Sequence, residues 1–146
     1  MVRTLTALAC AAAIFSPAAA AEPDGARATL ASFHAALANG DKDKALAHLS
    51  PRVVIYESGF VERSRDEYAS HHLAGDMKFA RTTIHKVLRH DERVAGDTLV
   101  VWQETETTGN SGGKPVHLLG ATTAVLEKSG ERWLIVHLHW SSRKAK

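Results

Sequence analysis

Apolar positions recur at three- to four-residue steps through Ala26, Leu30, Phe33 and Leu37, which puts them on one face of a helix ending near Asn39 and Gly40. Asp41 then caps a second, shorter helix carrying Ala45, Leu46 and Leu49, and Pro51 ends it. Val53 to Glu57 is rich in β-branched and aromatic residues and reads as a strand. Ser64-Arg65-Asp66-Glu67 has capping-box spacing and opens a third helix, through about Leu73 and before Gly75. After Phe79 the helical spacing gives way to alternation. Arg81 to Arg93, Thr98 to Thr108, Val116 to Lys128 and Arg132 to Ser142 are separated by Ala95-Gly96-Asp97, Gly109 to Gly113 and Ser129-Gly130. Four strands joined by short turns form an antiparallel meander. The expected class is α+β, with three N-terminal helices packed on a curved, mostly antiparallel sheet.

Met1 to Ala21 departs from this plan. A basic start at Arg3, an apolar middle from Leu5 to Phe15, Pro17 and then Ala18 to Ala21 match a secretion signal cleaved near Ala20 or Ala21. The apolar stretch is far shorter than the ~20 residues a spanning helix needs. The expectation is one domain over residues 22–146, exported to the periplasm or the extracellular space, without a membrane anchor. Cleavage removes Cys10, the sole cysteine, and with it disulfides, thiol catalysis and thiolate metal sites. The chain carries 18 Lys and Arg against 16 Asp and Glu, with no clustered basic face, so nucleic acid is not an expected partner. Nine histidines in so small a domain are the main chemical signal.

Alternation places Trp133, Ile135, His137 and His139 on one face of the last strand, with Leu134, Val136, Leu138 and Trp140 on the other. Two imidazoles at i and i+2 can hold one metal ion or relay a proton. On the third helix, Tyr68, His72 and Asp76 stack at i, i+4 and i+8 if the helix runs past Gly75. Adjacent His71 and His72 diverge by ~100°, so at most one points straight at a given site. Glu57 shares a face with Val53 and Ile55; if that face is the inner one, its carboxylate enters the interior as a ligand or as a base of raised pKa. Glu62 and Arg63 read as solvated loop residues.

The order of elements, with Phe33-His34-Ala35-Ala36-Leu37-Ala38-Asn39-Gly40-Asp41, resembles the opening of the nuclear transport factor 2-like superfamily. Trp133 to Ser142 is similar to the last strand of its bacterial SnoaL-like members. The resemblance implies a cone-shaped α+β barrel with a pocket between the helices and the concave sheet face, and it puts His137 and His139 along the pocket wall. Read without gaps against the ketosteroid isomerase branch, Glu57 falls where that family carries its general-base Asp. Phe33 falls where it carries the Tyr that donates to the developing oxyanion; His137, His139 or Tyr56 could in principle substitute as donors.

Three readings follow. In the first, an exported protein binds a small molecule through Glu57, Tyr56, His72, Asp76, His137 and Trp102, or a divalent transition metal ion through Glu57, His71, His72, His137 and His139, since imidazole and carboxylate suit Zn, Cu, Ni or Fe. In the second, an enzyme uses Glu57 as proton acceptor and His139 as acid on a small carbonyl compound. In the third, the open sheet face forms a homodimer that Trp102 or Trp140 fills. A phosphate loop and a nucleophile elbow are both missing, because Gly109 to Gly113 joins two strands and Tyr56 and Phe60 flank Ser58 where the elbow needs glycines.

Overall fold

The computed structural model describes residues 23–146; the expected signal segment lies outside the described residues. The elements are α1 (Pro23–Asn39), α2 (Lys42–Ala47), β1 (Leu49–Glu57), β2 (Phe60–Glu62), α3 (Arg65–His71), α4 (Leu73–Ala80), β3 (Thr83–Ala95), β4 (Thr98–Ser111), β5 (Lys114–Ser129) and β6 (Arg132–Lys144). They form an α+β fold, with the helices on a six-stranded curved sheet in the order β2-β1-β6-β5-β4-β3. The sheet does not close on itself. Every neighbouring pair is antiparallel except β1 with β6.

Helix α1 buries Ala26, Leu30, Phe33, Ala36 and Leu37, the stripe its spacing marks out. Its end is a Schellman turn: Gly40, at φ 71°, donates to Leu37 O, and Asp41 donates to Ala36 O. The Asp41 side chain then accepts from Lys44 N at 3.1 Å and starts α2 in the same turn. Helix α2 stops at Ala47, two residues short of Leu49, which the pattern had assigned to it. Leu49 instead opens β1, paired opposite Ile135, and the strand runs through Pro51. The β1–β6 register shifts between Leu49 and Val54, where Pro51 has no N–H to give to a ladder.

Ser64 caps α3, accepting from Glu67 N at 3.1 Å, while the Glu67 carboxylate accepts from Arg63 N at 2.6 Å. The third helix does not stop before Gly75. His72, at φ −112°, breaks the run into α3 and α4, and α4 passes Gly75 to reach Ala80. Among the described residues the helices number four, and the short strand β2 replaces the loop expected around Glu62.

The inward face of the sheet changes character along its strands. At one end Leu99, Val101, Ala124, Leu126, Trp133, Ile135 and Leu138 form the core with α1. Toward the other end the inward positions become Thr105, Thr107 and Thr122, and Gly120 supplies no side chain. A Cβ on Gly120 would lie 2.7 Å from Thr105 Oγ1. The strands therefore stop filling the interior halfway along, and a cavity opens there.

Candidate functional site

The cavity has a volume of about 380 Å³ and lies between α1, α4 and the hydroxyl-bearing half of the sheet. That is the small end of the range for drug-sized ligands. Leu37, Phe79, Leu118 and Trp140 give it apolar walls, and Trp140 stacks on Phe33 with ring centroids 6.3 Å apart. None of the described residues lining it is Lys or Arg.

Glu57 enters the cavity because β1 alternates: Val53 and Ile55 are buried in the core, so the next inward position is Glu57. Asp76 comes from α4 to the same wall, and both carboxyls also border a side recess with Ser58, Phe60, His71 and His72. Burial pushes the Glu57 carboxyl above the ordinary carboxylate range; the Asp76 charge adds to the rise and His72 opposes it. Burial raises Asp76 as well, against the pull of a hydrogen bond from the Tyr68 hydroxyl and of nearby His72. Tyr68, fully buried, donates to Asp76 Oδ2 at 2.7 Å. Asp76 thus has a donor fixed on it, and its charge adds to the hold on the Glu57 proton.

Behind this pair lies a polar cluster. Glu62 is buried, contrary to its reading as a solvated residue, and it binds both adjacent histidines: His71 Nδ1 at 3.2 Å and His72 Nδ1 in a shorter contact. Both rings reach one carboxylate because the helix breaks at His72; on a continuous helix they would diverge.

His137 and His139 do not reach the cavity wall. The β5–β6 ladder pairs Leu126 with Ile135 but Val125 with His137, leaving Val136 as a bulge residue. The extra residue reverses the alternation, so Trp133, Ile135, Leu138 and Trp140 face inward while His137 and His139 face outward. There His137 donates from Nδ1 to Val54 O at 2.8 Å, and Tyr56 packs edge-on against both rings, at 5.2 and 6.2 Å. Tyr56 is outside for the reason that Glu57 is inside. Trp102 also sits outside, 43% exposed, one position past the inward Val101. Trp140, offered only as an interface residue, is instead a wall of the cavity. The five groups proposed as metal ligands are accordingly split between the two faces of the sheet. Among the described residues no three His, Asp or Glu side chains come together as a metal site.

Two histidines without an assigned role do line the cavity. His34 of α1 and His85 of β3 pack edge to face, 5.7 Å apart. Burial, then the neighbouring His85, pulls the His34 imidazole down to about 4, and burial also lowers His85. Thr107 Oγ1 lies 3.3 Å from His85 Nδ1. The signal available for His34 was its place four residues after Leu30 on the apolar side of α1.

The family model for the SnoaL-like domain matches residues 26–143. A candidate ketosteroid isomerase from Shewanella frigidimarina NCIMB 400 is 35% identical, covering 80% of this chain and 94% of its own, with a TM-score of 0.77. A candidate dehydratase of the nuclear transport factor 2-like family from Streptomyces avermitilis superposes with a TM-score of 0.71 at 20% identity, covering 84% and 96% of the two chains. A candidate calcium/calmodulin-dependent protein kinase II association domain from Xanthomonas campestris does so with 0.66 at 24%, covering 80% and 84%. These last two likenesses show the fold. No curated protein matches the chain. By the extent of the model match and the identity to the Shewanella protein, the chain belongs to the SnoaL-like domain family.

Proposed function

We propose that this SnoaL-like domain binds a small, uncharged, largely apolar carbonyl compound and moves a proton on it, with Glu57 as the base. The observation that carries the reading is the carboxyl pair. Glu57 and Asp76 border one cavity whose apolar walls are Leu37, Phe79, Leu118 and Trp140; Tyr68 holds Asp76 by a hydrogen bond, while Glu57, raised by burial and by the Asp76 charge, is the exchangeable acid or base. The C–H bond beside the carbonyl breaks, its proton passes to a Glu57 carboxylate oxygen, and the electron pair becomes an enolate on the carbonyl oxygen. Return of that proton to the α-carbon gives exchange; where the substrate carries a β,γ carbon–carbon double bond, the electron pair spreads into a dienolate, and return of the proton to the γ-carbon moves the double bond into conjugation with the carbonyl and completes an isomerisation. The 35% identity to a protein described as a candidate ketosteroid isomerase points the same way. An anionic substrate is disfavoured because two carboxyls, and no Lys or Arg among the described residues, line the cavity.

The test uses 2-tetralone, a compact apolar ketone, in deuterated buffer. The wild-type protein is expected to exchange its α-protons well above the buffer rate. Glu57→Gln is expected to lose that exchange while still binding the ketone; exchange that survives Glu57→Gln overturns the assignment.

A homodimer is proposed through the outer sheet face, where Tyr56 and Trp102 are each 43% exposed. Sedimentation equilibrium of the wild type and Trp102→Glu tests it, a shift to monomer in the variant being expected. Export is proposed from the apolar N-terminal segment, and the mass of the secreted chain, starting at Ala21 or Glu22, tests it.

A further inference from the structure

The carboxyl pair lines part of the cavity, and the fold brings a second polar group to the same cavity from the other edge of the sheet. Glu57 is on β1, while His85 is on β3 at the far edge of the sheet, with β6, β5 and β4 between them. The curvature of the sheet brings these two strands to one cavity. His34 faces His85 from α1.

This histidine wall has chemistry left unused. His34 Nε2 is sealed from solvent and bonds to none of the described residues. A buried polar nitrogen without a partner is costly, and such groups are usually accounted for by a ligand or an ordered water. His34 nevertheless lines the cavity. Histidine χ2 is a broad torsion, so a small turn of the ring brings the nitrogen to a bound molecule at little cost. His85 is prepared differently. When the Thr107 hydroxyl donates to Nδ1, the ring proton stays on Nε2, which becomes a donor. Both rings are held neutral by burial, so each offers an N–H without a net charge. A neutral imidazole can polarise a carbonyl without first losing a proton to the solvent.

We propose that His34 and His85 form the recognition wall for an uncharged oxygen acceptor on the ligand, and that His34 is a specificity-determining donor to that oxygen. The inference rests on the acid–base reading of the same cavity and deepens it by naming what lies opposite Glu57. The ligand class is a compact apolar molecule carrying a ketone, ester or ether oxygen, in preference to a hydrocarbon or a carboxylate.

The test compares three probes of one size, 2-tetralone, tetralin and 2-naphthoate, by NMR titration of protein labelled with 15N at histidine. 2-Tetralone is expected to bind about three- to tenfold more tightly than tetralin, the worth of one hydrogen bond to a neutral acceptor, and to shift the ring nitrogens of His34 and His85. Naphthoate is expected to bind more weakly than either. His34→Phe is expected to bring the ketone-to-hydrocarbon ratio to near one, and His34→Gln, which keeps a donor, to restore part of it. Equal binding of tetralone and tetralin to the wild type overturns the proposal, as does a ratio that His34→Phe leaves unchanged. Should His34→Phe fail to fold, the histidine shifts in the wild type and the ratio in His34→Gln decide the matter. The outcomes separate the two readings. A ketone preference with no Glu57-dependent exchange sinks the acid–base reading alone, and exchange without a ketone preference sinks the histidine wall alone.

Discussion

The Tyr68 hydroxyl donates to Asp76 Oδ2 at 2.7 Å from a fully buried position eight residues earlier in the chain. The break at His72 lets two short helices present these residues to each other. Burial raises both carboxyls of the cavity; the Tyr68 hydrogen bond opposes the rise at Asp76, and the Asp76 charge adds to it at Glu57.

Proton exchange on a ketone should therefore fall on the acid side at a pH above the ordinary carboxylate range, because Glu57 must be ionised to act as base. Asp76→Asn removes the like charge but not the burial. The acid limb of kcat/KM is expected to move part of the way back toward a normal carboxylate, and a limb that stays in place would show that Asp76 exerts no field on Glu57.

The same pair costs stability at neutral pH. Both carboxyls have folded-state pKa values raised above those of the unfolded chain, so the folded form binds more protons between the two values. Their contribution is most favourable below the unfolded carboxylate pKa and is lost as pH rises through the folded one. Glu57→Gln should then raise Tm at pH 7, and the gain should shrink toward zero below about pH 4. Thermal melts of the two proteins across pH 3.5–8 check the sign; a Tm loss at pH 7 would mean that Glu57 makes a stabilising contact.

His137 and His139 give a contrasting expectation, since the bulge at Val136 turns both away from the cavity. His139→Ala should leave ketone binding and exchange within roughly a factor of two of wild type, as an exposed substitution does. His137→Ala leaves Val54 O without its donor and should cost about 1 kcal/mol of stability, again with the exchange rate intact. A large loss of exchange in His139→Ala would place a proton relay on the outer face.

The bulge also marks the limit of what the sequence discloses. Helix α1, its Gly40-Asp41 exit, the Ser64 cap and the four long strands are legible because each rests on local spacing or on one turn residue. The inward direction of Glu57 follows from the alternation with Val53 and Ile55. By contrast, a single unpaired residue in β6 inverts every assignment after it, and nothing in Val136 itself announces a bulge. The joining of His71 and His72 on Glu62, and of His34 with His85, depends on contacts between distant elements that no local pattern encodes.

Gly109 carries the junction that holds the histidine wall in place. It sits at φ 148°, and a Cβ there would lie 2.5 Å from Thr82 O and 2.7 Å from Thr83 Cα, both backbone atoms that cannot rotate aside. The close approach lets β4 pair with the first residue of β3, Thr83 opposite Gly109, while Asn110 N donates to Thr82 O at 3.1 Å. His85 lies two residues further along β3, on the same inward face as Thr83. Gly109→Ala should force this end of the hairpin apart, costing at least about 2 kcal/mol. It should also weaken ketone binding, because His85 moves away from Thr107 and His34. Chemical denaturation and a 2-tetralone titration of the variant measure the two effects. Unchanged binding in a destabilised variant would separate the hairpin from the cavity.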